Sequence, residues 1–121
     1  MVLVDIFGKW NQKETTMLKN KMTAEERKQA PVYSGVLKYF PDALIEVAKC
    51  SYMGNQQHHP DKPLHWDRNK STDELDALTR HLIQAGTIDT DGMRHSAKVC
   101  WRALANLQKE IERENELKDS V

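Results

Sequence analysis

The chain lacks the patterns that mark several large classes of proteins. Its two cysteines, Cys50 and Cys100, lie far apart and in no CxxC spacing, so zinc-finger and thioredoxin chemistry are not indicated. No apolar run approaches the roughly 20 residues of a membrane span. Residues 2–7 are too few for the apolar region of a signal peptide, and they include an acid. We therefore expect a cytoplasmic protein with no membrane partner and with two reduced, buried thiols.

The chain also lacks an excess of charge of either sign. The 18 basic and 18 acidic residues cancel, although charged residues make up 30% of the chain. Non-specific nucleic-acid binding needs a basic surface, so we expect no nucleic-acid partner. A length of 121 residues with an apolar content of 39% predicts one domain with a modest core, and this favours a homo-oligomer.

Glycine-rich phosphate loops and nucleophile motifs are absent as well. The sequence contains no GxxxxGKS or GxxxxGKT, no GxGxxG, no GxSxG and no HExxH pattern. Nucleophilic catalysis is therefore unsupported. What the chain does contain is acids and histidines beside apolar stripes, and these residue types suit a metal-activated water.

The hydrophobic spacing predicts an all-α fold, a compact bundle of three main helices preceded by a short N-terminal arm and helix. We place the main helices near residues 41–53, 72–85 and 91–113. The chain then divides into an arm with a short helix at 1–33, a helical domain carrying the candidate site at 34–112, and a charged tail at 113–121. In the arm, residues 2–7 form a strand or pack as an extension, and residues 8–22 form a linker.

Capping signals set the expected ends of the helices. Thr23 and Glu26 fit a capping box that opens a short helix ended by Pro31. Residues 32–40 are aromatic and read as extended. Gly54 followed by Asn55 is a stop signal for the first main helix.

Two further patterns define the later helices. Residues 71–74, Ser-Thr-Asp-Glu, form a second capping box. In the last helix the apolar positions alternate spacings of four and three, as in a heptad seam, which either another helix of the chain or a second copy can cover. The seam consists of Met93, Ala97, Cys100, Leu104, Leu107 and Ile111.

Pairs of acids share helix faces in two places. Asp42 and Glu46 are four residues apart, and Asp73 and Asp76 are three apart. Two carboxylate pairs on neighbouring helices can hold Mg²⁺ or Mn²⁺, because hard cations prefer oxygen ligands. Three of these acids also have an alternative explanation. Asp42 and Asp73 lie in first turns, where a negative charge interacts favourably with the helix dipole, and Asp76 can form an ion pair with Arg80.

The histidines and one tryptophan offer further candidates. His95 shares a helix face with Arg102 and Asn106, a donor set suited to phosphate or base contacts, although a lone helical histidine is more often a partly buried polar group. His81 is either a ligand or an imidazole bonded to a carbonyl in the core. In the polar loop, residues 65–66 offer an aromatic platform for a base, with Trp66 filling the core as the equal alternative.

Taken in order, several of these segments resemble a bacteriophage family of dATP/dGTP diphosphohydrolase-like proteins. The segments are SGVLKYFPDALIEVAK at 34–49, HW at 65–66, DALTRH at 76–81, DTDG at 89–92 and HSA at 95–97. The resemblance covers roughly residues 34–112 and rests on the order and spacing of the motifs. It implies that the protein is located in the cytoplasm of the host if the chain is phage-encoded.

The resembled family is grouped loosely with the all-α nucleotide pyrophosphohydrolases related to MazG. Those proteins bind Mg²⁺ through an E-x-x-E motif on one helix and an E-x-x-D motif on the next. Here Asp42 and Glu46, four apart, stand in place of the first motif, and Asp73 and Asp76 stand in place of the second.

The resemblance implies metal-dependent hydrolysis of a nucleoside or deoxynucleoside triphosphate. Glu46, Asp76 and His95 would hold Mg²⁺ or Mn²⁺. Asp42 or Asp73 would orient the water. The residues expected to contact the nucleotide are Lys49, His65, Trp66, Arg80, His81 and Arg102.

Two other functions remain open from the sequence. The departure from E-x-x-E favours a binding protein that sequesters a nucleotide without turnover, such as a phage sponge of a signalling nucleotide. The seam on the last helix instead suits a small helical interaction module.

Overall fold

The computed structural model describes residues 22–119, which divide into two units, one ending at Pro41 and one beginning at Asp42. The described residues form four α-helices and one π-helical segment, and no strand occurs among them. The expected all-α class is therefore confirmed. The strand or arm expected at 2–7 and the linker expected up to residue 21 lie outside the described residues.

The first unit contains helix α1, Ala24–Lys28, and the π-helical segment Tyr33–Leu37. The predicted cap is confirmed, because the Thr23 hydroxyl accepts a hydrogen bond of 3.1 Å from the backbone N–H of Glu26. The expected extended backbone at 32–40 is wrong. Pro31 opens a helical stretch, as proline commonly does in a first turn, and the backbone N–H of Lys38 donates to the Tyr33 carbonyl at 2.9 Å.

Helix α2, Pro41–His58, continues past the stop predicted at Gly54 and Asn55. A glycine inside a helix costs only about 1 kcal/mol relative to alanine, so it does not force an end. Asn55 is buried, and its Nδ2 donates to the Lys62 carbonyl at 3.0 Å. The side chain of Asn55 therefore ties the end of α2 to the loop that follows.

Helix α3, Glu74–Ile83, packs against helix α4, His95–Asp119. The second capping box is wrong, since the helix begins at Glu74 with Asp73 rather than Ser71 at its N-cap, and the Ser71 hydroxyl donates to the Asp73 carboxylate at 2.9 Å. Helix α4 begins at His95 rather than near 91, and it continues through residues expected in the charged tail. No helix among residues 22–119 is long and apolar enough to cross a membrane.

The core of the described chain is small. Its buried apolar residues are Val47, Ala77, Met93, Ala97 and Ala105. The predicted seam on α4 is split, because Met93 and Ala97 lie in the core while Leu104, Leu107 and Ile111 remain exposed. The expectation of two buried thiols fails for Cys100, which is exposed, whereas Cys50 is half-buried.

Candidate functional site

A compact group of three residues that can bind a metal lies between the end of α3 and the start of α4. His81 comes near the end of α3, Asp89 lies in the connecting turn, and His95 is the first residue of α4. The Nδ1 atoms of the two histidines are 2.9 Å apart, and His95 Nδ1 is 3.9 Å from Asp89 Oδ2. One ligand atom from each of the three residues lies within 4.8 Å of the others.

The turn between the helices brings Asp89 and His95 together. The backbone N–H of Asp89 donates to the Met93 carbonyl at 2.8 Å, and that of His95 donates to the Thr87 carbonyl at 3.1 Å. Gly92 has a φ of 83°, a left-handed conformation that glycine adopts without strain. The turn is therefore a closed, hydrogen-bonded loop that fixes the carboxylate beside the imidazole.

Lys98 supplies a cation to two acids of this turn. Its Nζ lies 2.6 Å from Asp89 Oδ2 and 2.7 Å from Asp91 Oδ2. The hydrogen bond from Lys98, aided by the backbone N–H of Thr90, lowers the pKa of Asp89 to about 2. Burial opposes ionisation of Asp91, but the bonds from Lys98 and from the Met93 N–H outweigh it and lower its pKa. Both carboxylates are therefore ionised at neutral pH.

The two imidazoles are hydrogen-bonded to each other through their Nδ1 atoms. At 2.9 Å, one Nδ1 must donate and the other must accept. Burial and the nearby positive charge of Lys98 lower the pKa of His81, so its neutral form is favoured at neutral pH. His95 is only 4% exposed. A neutral imidazole has a nitrogen lone pair available for an ion.

The spacing of the three ligand atoms can be compared with the spacing around a bound ion. Two atoms each about 2.1 Å from one ion are about 3.0–3.4 Å apart in octahedral or tetrahedral geometry. The 2.9 Å between the two imidazole nitrogens lies close to that range, whereas the 3.9 Å from His95 Nδ1 to Asp89 Oδ2 lies above it, so the carboxylate would move inward on binding an ion. Two nitrogens and one carboxylate oxygen are donors typical of Mn²⁺, Fe²⁺, Co²⁺ or Zn²⁺, whereas Mg²⁺ prefers oxygen alone.

A cavity of about 610 Å³ lies beside this group. His81, Asp91, Lys98 and Arg102 contribute charged or polar side chains to its lining. Aromatic and amide side chains contribute elsewhere: Asn55, His59, His65, Trp66 and Trp101. The volume is within the range of about 300–1,000 Å³ usual for small-molecule sites.

The buried carboxylate of Glu74 fixes the side chain of Arg102, which lines the cavity. Glu74 is 6% exposed, accepts from Arg102 at 2.9 Å and from Lys109 at 3.0 Å, and so connects α3 to α4. Burial opposes the ionisation of Glu74, but the hydrogen bonds from both cations outweigh it and lower its pKa. The Ser71 hydroxyl also accepts from Arg102, at 3.0 Å. The guanidinium of Arg102 is therefore held in one orientation.

The structure brings some of the residues predicted from the sequence together at this place. His81 and His95 are in direct contact. His65, Trp66 and Arg102 line the adjoining cavity. Trp66 packs its edge on Trp101 with ring centres 5.9 Å apart, and the Arg68 guanidinium lies 4.3 Å from the centre of the Trp66 ring.

The other predicted ligands lie elsewhere. Glu46 pairs with Lys49 at 3.0 Å along α2, and Asp42 is exposed in the first turn of that helix. Asp73 pairs with Arg80 at 3.1 Å.

Asp76 borders a separate hollow of about 330 Å³ that Asp73 also lines. Among the described residues, neither Glu46 nor Asp76 belongs to the group formed by His81, Asp89 and His95.

Sequence reasoning missed Asp89, Asp91, Lys98 and Glu74 as functional candidates. The signal for the first two was available, because the Asp-Thr-Asp-Gly turn sits between the two histidines. Periodicity alone could not identify Lys98 or Glu74, since their importance comes from contacts between elements.

Comparison with known proteins identifies a family. No curated protein and no solved structure matches the chain. A family model described as "dATP/dGTP diphosphohydrolase, N-terminal" matches residues 20–120. Since that match spans most of the 121 residues, the chain belongs to the dATP/dGTP diphosphohydrolase N-terminal family.

Proposed function

We propose that the chain hydrolyses a phosphoanhydride bond of purine deoxynucleoside triphosphates with the help of a divalent ion. The observation that carries the proposal is the group of His81, Asp89 and His95 beside a cavity of nucleotide size. The family's name points to dATP and dGTP as substrates and to diphosphate as the leaving group.

In this proposal the metal ligands are His81, Asp89 and His95. The nitrogen donors favour a transition ion such as Mn²⁺ over Mg²⁺. A bound ion would polarise a phosphate oxygen and lower the pKa of a bound water. Asp89 is suited to the role because its pKa, lowered to about 2, keeps the carboxylate ionised at neutral pH.

The remaining residues orient the substrate and the attacking water. Asp91 lines the cavity with an ionised carboxylate that can accept a hydrogen bond from water. Arg102, held by Glu74, and Lys70 also line the cavity and can contact phosphate oxygens. Water adds to phosphorus, the bond to the bridging oxygen breaks, and the proton of water passes to solvent or to the leaving group.

A second candidate function is sequestration of a nucleotide without turnover. One observation favours it, because the Lys98 ammonium already neutralises Asp89 and Asp91, at 2.6 and 2.7 Å. With its acids already neutralised by Lys98, the site has less need of a metal ion to compensate their charge.

The two functions are separated by incubating the protein with dATP, dGTP, dCTP and dTTP in the presence of Mn²⁺ or Mg²⁺. Hydrolysis predicts release of phosphate or diphosphate from dATP and dGTP with Mn²⁺, and its loss in Asp91→Asn. Asp61→Asn is a matched control, because Asp61 is exposed and does not line the cavity. Binding of nucleotide without any release would instead establish sequestration.

A further inference from the structure

Two polar atoms in the cavity region are buried without a hydrogen-bond partner. Across residues 22–119, the buried side-chain atoms that lack a partner are Asn55 Oδ1 and His59 Nε2. The two residues are one helical turn apart, with His59 directly after the last residue of α2. The backbone N–H of His59 donates to the backbone carbonyl of Asn55 at 2.7 Å. Both side chains line the same cavity. An unpaired buried polar group is costly, so two in one place call for a partner.

The orientation of the Asn55 amide is fixed by its other end. Its Nδ2 donates to the Lys62 carbonyl at 3.0 Å, and a carbonyl can only accept. The unpaired atom is therefore the oxygen. Asn55 is 8% exposed, so a ligand's donor that reaches this oxygen makes a hydrogen bond sheltered from bulk water.

His59 provides a second polar atom beside the first. Burial and the neighbouring His65 lower the pKa of His59, which favours the neutral ring. Its Nε2 lies 4.0 Å from Asp67 Oδ2, too far for a hydrogen bond. A neutral imidazole offers either a donor or an acceptor at Nε2, depending on its tautomer.

The chemistry of this pair decides which part of a nucleotide it suits. Phosphate oxygens only accept hydrogen bonds and are repelled by the Asn55 oxygen. A nucleobase instead presents a donor beside an acceptor on its pairing edge, as adenine does with its amino group and ring nitrogen. The cationic side chains of Lys70 and Arg102, which also line the cavity, are then available to contact the phosphates.

We propose that Asn55 and His59 form the base-reading subsite of the cavity, with Asn55 Oδ1 accepting a hydrogen bond from the pairing edge of the base. His59 Nε2–H donates to the adjacent acceptor on the base. The proposal rests on the proposed nucleotide function and adds the residues that recognise the base.

The test compares dATP with the triphosphate of purine 2′-deoxyriboside, which lacks the 6-amino group. Dissociation constants are measured by calorimetry with Mn²⁺ and the α,β-methylene analogues of both nucleotides, which are not hydrolysed, for the wild type, for Asn55→Ala and for Gln56→Ala. Gln56 is the matched control, because it is a neighbouring exposed amide outside the cavity lining. Inorganic tripolyphosphate serves as a ligand without a base.

The wild type and Gln56→Ala should bind dATP about 10- to 100-fold more tightly than the analogue, which is the effect of one sheltered hydrogen bond. In Asn55→Ala this preference should disappear while the affinity for tripolyphosphate is retained. The wild-type comparison needs no substitution, so it stands even where Asn55→Ala folds poorly.

Three results would overturn the proposal, and they differ in what else they overturn. Equal wild-type affinity for dATP and the analogue removes the base-reading role and leaves the hydrolase proposal standing. A preference that persists in folded Asn55→Ala does the same. If neither nucleotide binds, both proposals fail.

Discussion

The Nδ1 atoms of His81 and His95 are 2.9 Å apart, so one ring donates its Nδ1–H to the Nδ1 of the other. An ion bound to both Nδ1 atoms would replace this hydrogen bond, and the donating ring would carry its proton on Nε2 instead. His95 is therefore both a ligand and part of the buried structure, with only 4% of its surface exposed.

His95→Ala should lose metal-dependent hydrolysis and also lower the free energy of unfolding by about 1–3 kcal/mol, because it leaves a cavity and an unpaired His81. The readout specific to the metal is the melting temperature with and without Mn²⁺. Mn²⁺ should raise it in the wild type and not in His95→Ala. Ser96→Ala, an exposed neighbour, is the control. An equal rise in His95→Ala would remove His95 from the site.

The ion pair between Lys98 and Asp89 makes the stability of the protein depend on pH in the acidic range. Asp89 has a folded pKa of about 2, below its usual value of about 3.9. Its contribution to stability is thus present above about pH 4 and is lost as the pH falls towards 2. Lys98→Met should lower stability at neutral pH and flatten this acid dependence.

Urea unfolding between pH 2 and pH 6 tests that expectation. Lys49→Met is the matched control, because Lys49 pairs with the neighbouring Glu46 along α2, at 3.0 Å, far from the turn in sequence. A wild-type curve as flat as that of Lys98→Met would contradict the role given to Lys98.

Helices α3 and α4 are joined by a buried charge as well as by apolar contact. Glu74 meets Arg102 and Lys109 across the interface. Glu74→Gln keeps the shape but leaves two cations facing a neutral amide. It should lower the free energy of unfolding by about 3–5 kcal/mol, as expected when one partner of a buried ion pair is removed.

The control for that substitution is Glu110→Gln, which lies on α4. Glu110 is exposed and accepts a hydrogen bond from Asn106 at 3.0 Å. Denaturant melts of the two variants should differ clearly. Similar small effects in both would show that Glu74 does not join the helices.

The elements themselves could be predicted well from local sequence, and their ends less well. Thr23 and Pro41 act within one turn, so their signals identified α1 and α2 correctly. Gly54 failed as a stop, because the bond between Asn55 and the Lys62 carbonyl, seven residues on, favours continuation of the helix. Such contacts leave no periodic trace in the sequence.

The site was less predictable than the helices for the same reason. The two histidines were singled out, but their contact spans 14 residues and depends on the turn at Asp89–Gly92. The acid pairs on α2 and α3 looked suitable because of their spacing along one helix. Spacing within a helix cannot tell whether two helices present their acids to each other.

Across the molecule, more apolar surface remains exposed than the small core would suggest. Leu104 is 51% exposed and Leu107 52%, on the part of α4 that carries the heptad spacing. We expect this face to be covered by a second copy, because a homo-oligomer would bury it.

Light scattering should then give a mass above that of one chain, and Leu107→Lys should shift it towards the monomer at the same concentration. Lys118→Ala, at the exposed end of α4, is the control and should leave the mass unchanged. A wild-type monomer at high concentration would contradict the expected assembly and leave the site intact.

The central claim is that His81, Asp89 and His95 hold the ion that supports hydrolysis. The most direct test is anomalous diffraction at the manganese edge from crystals grown with Mn²⁺ and a non-hydrolysable dGTP analogue. The claim predicts a peak bonded to a nitrogen of each histidine and to an Asp89 oxygen, at about 2.1–2.3 Å. A peak at Glu46 or Asp76 instead, or bound nucleotide with no peak between the histidines, would contradict it.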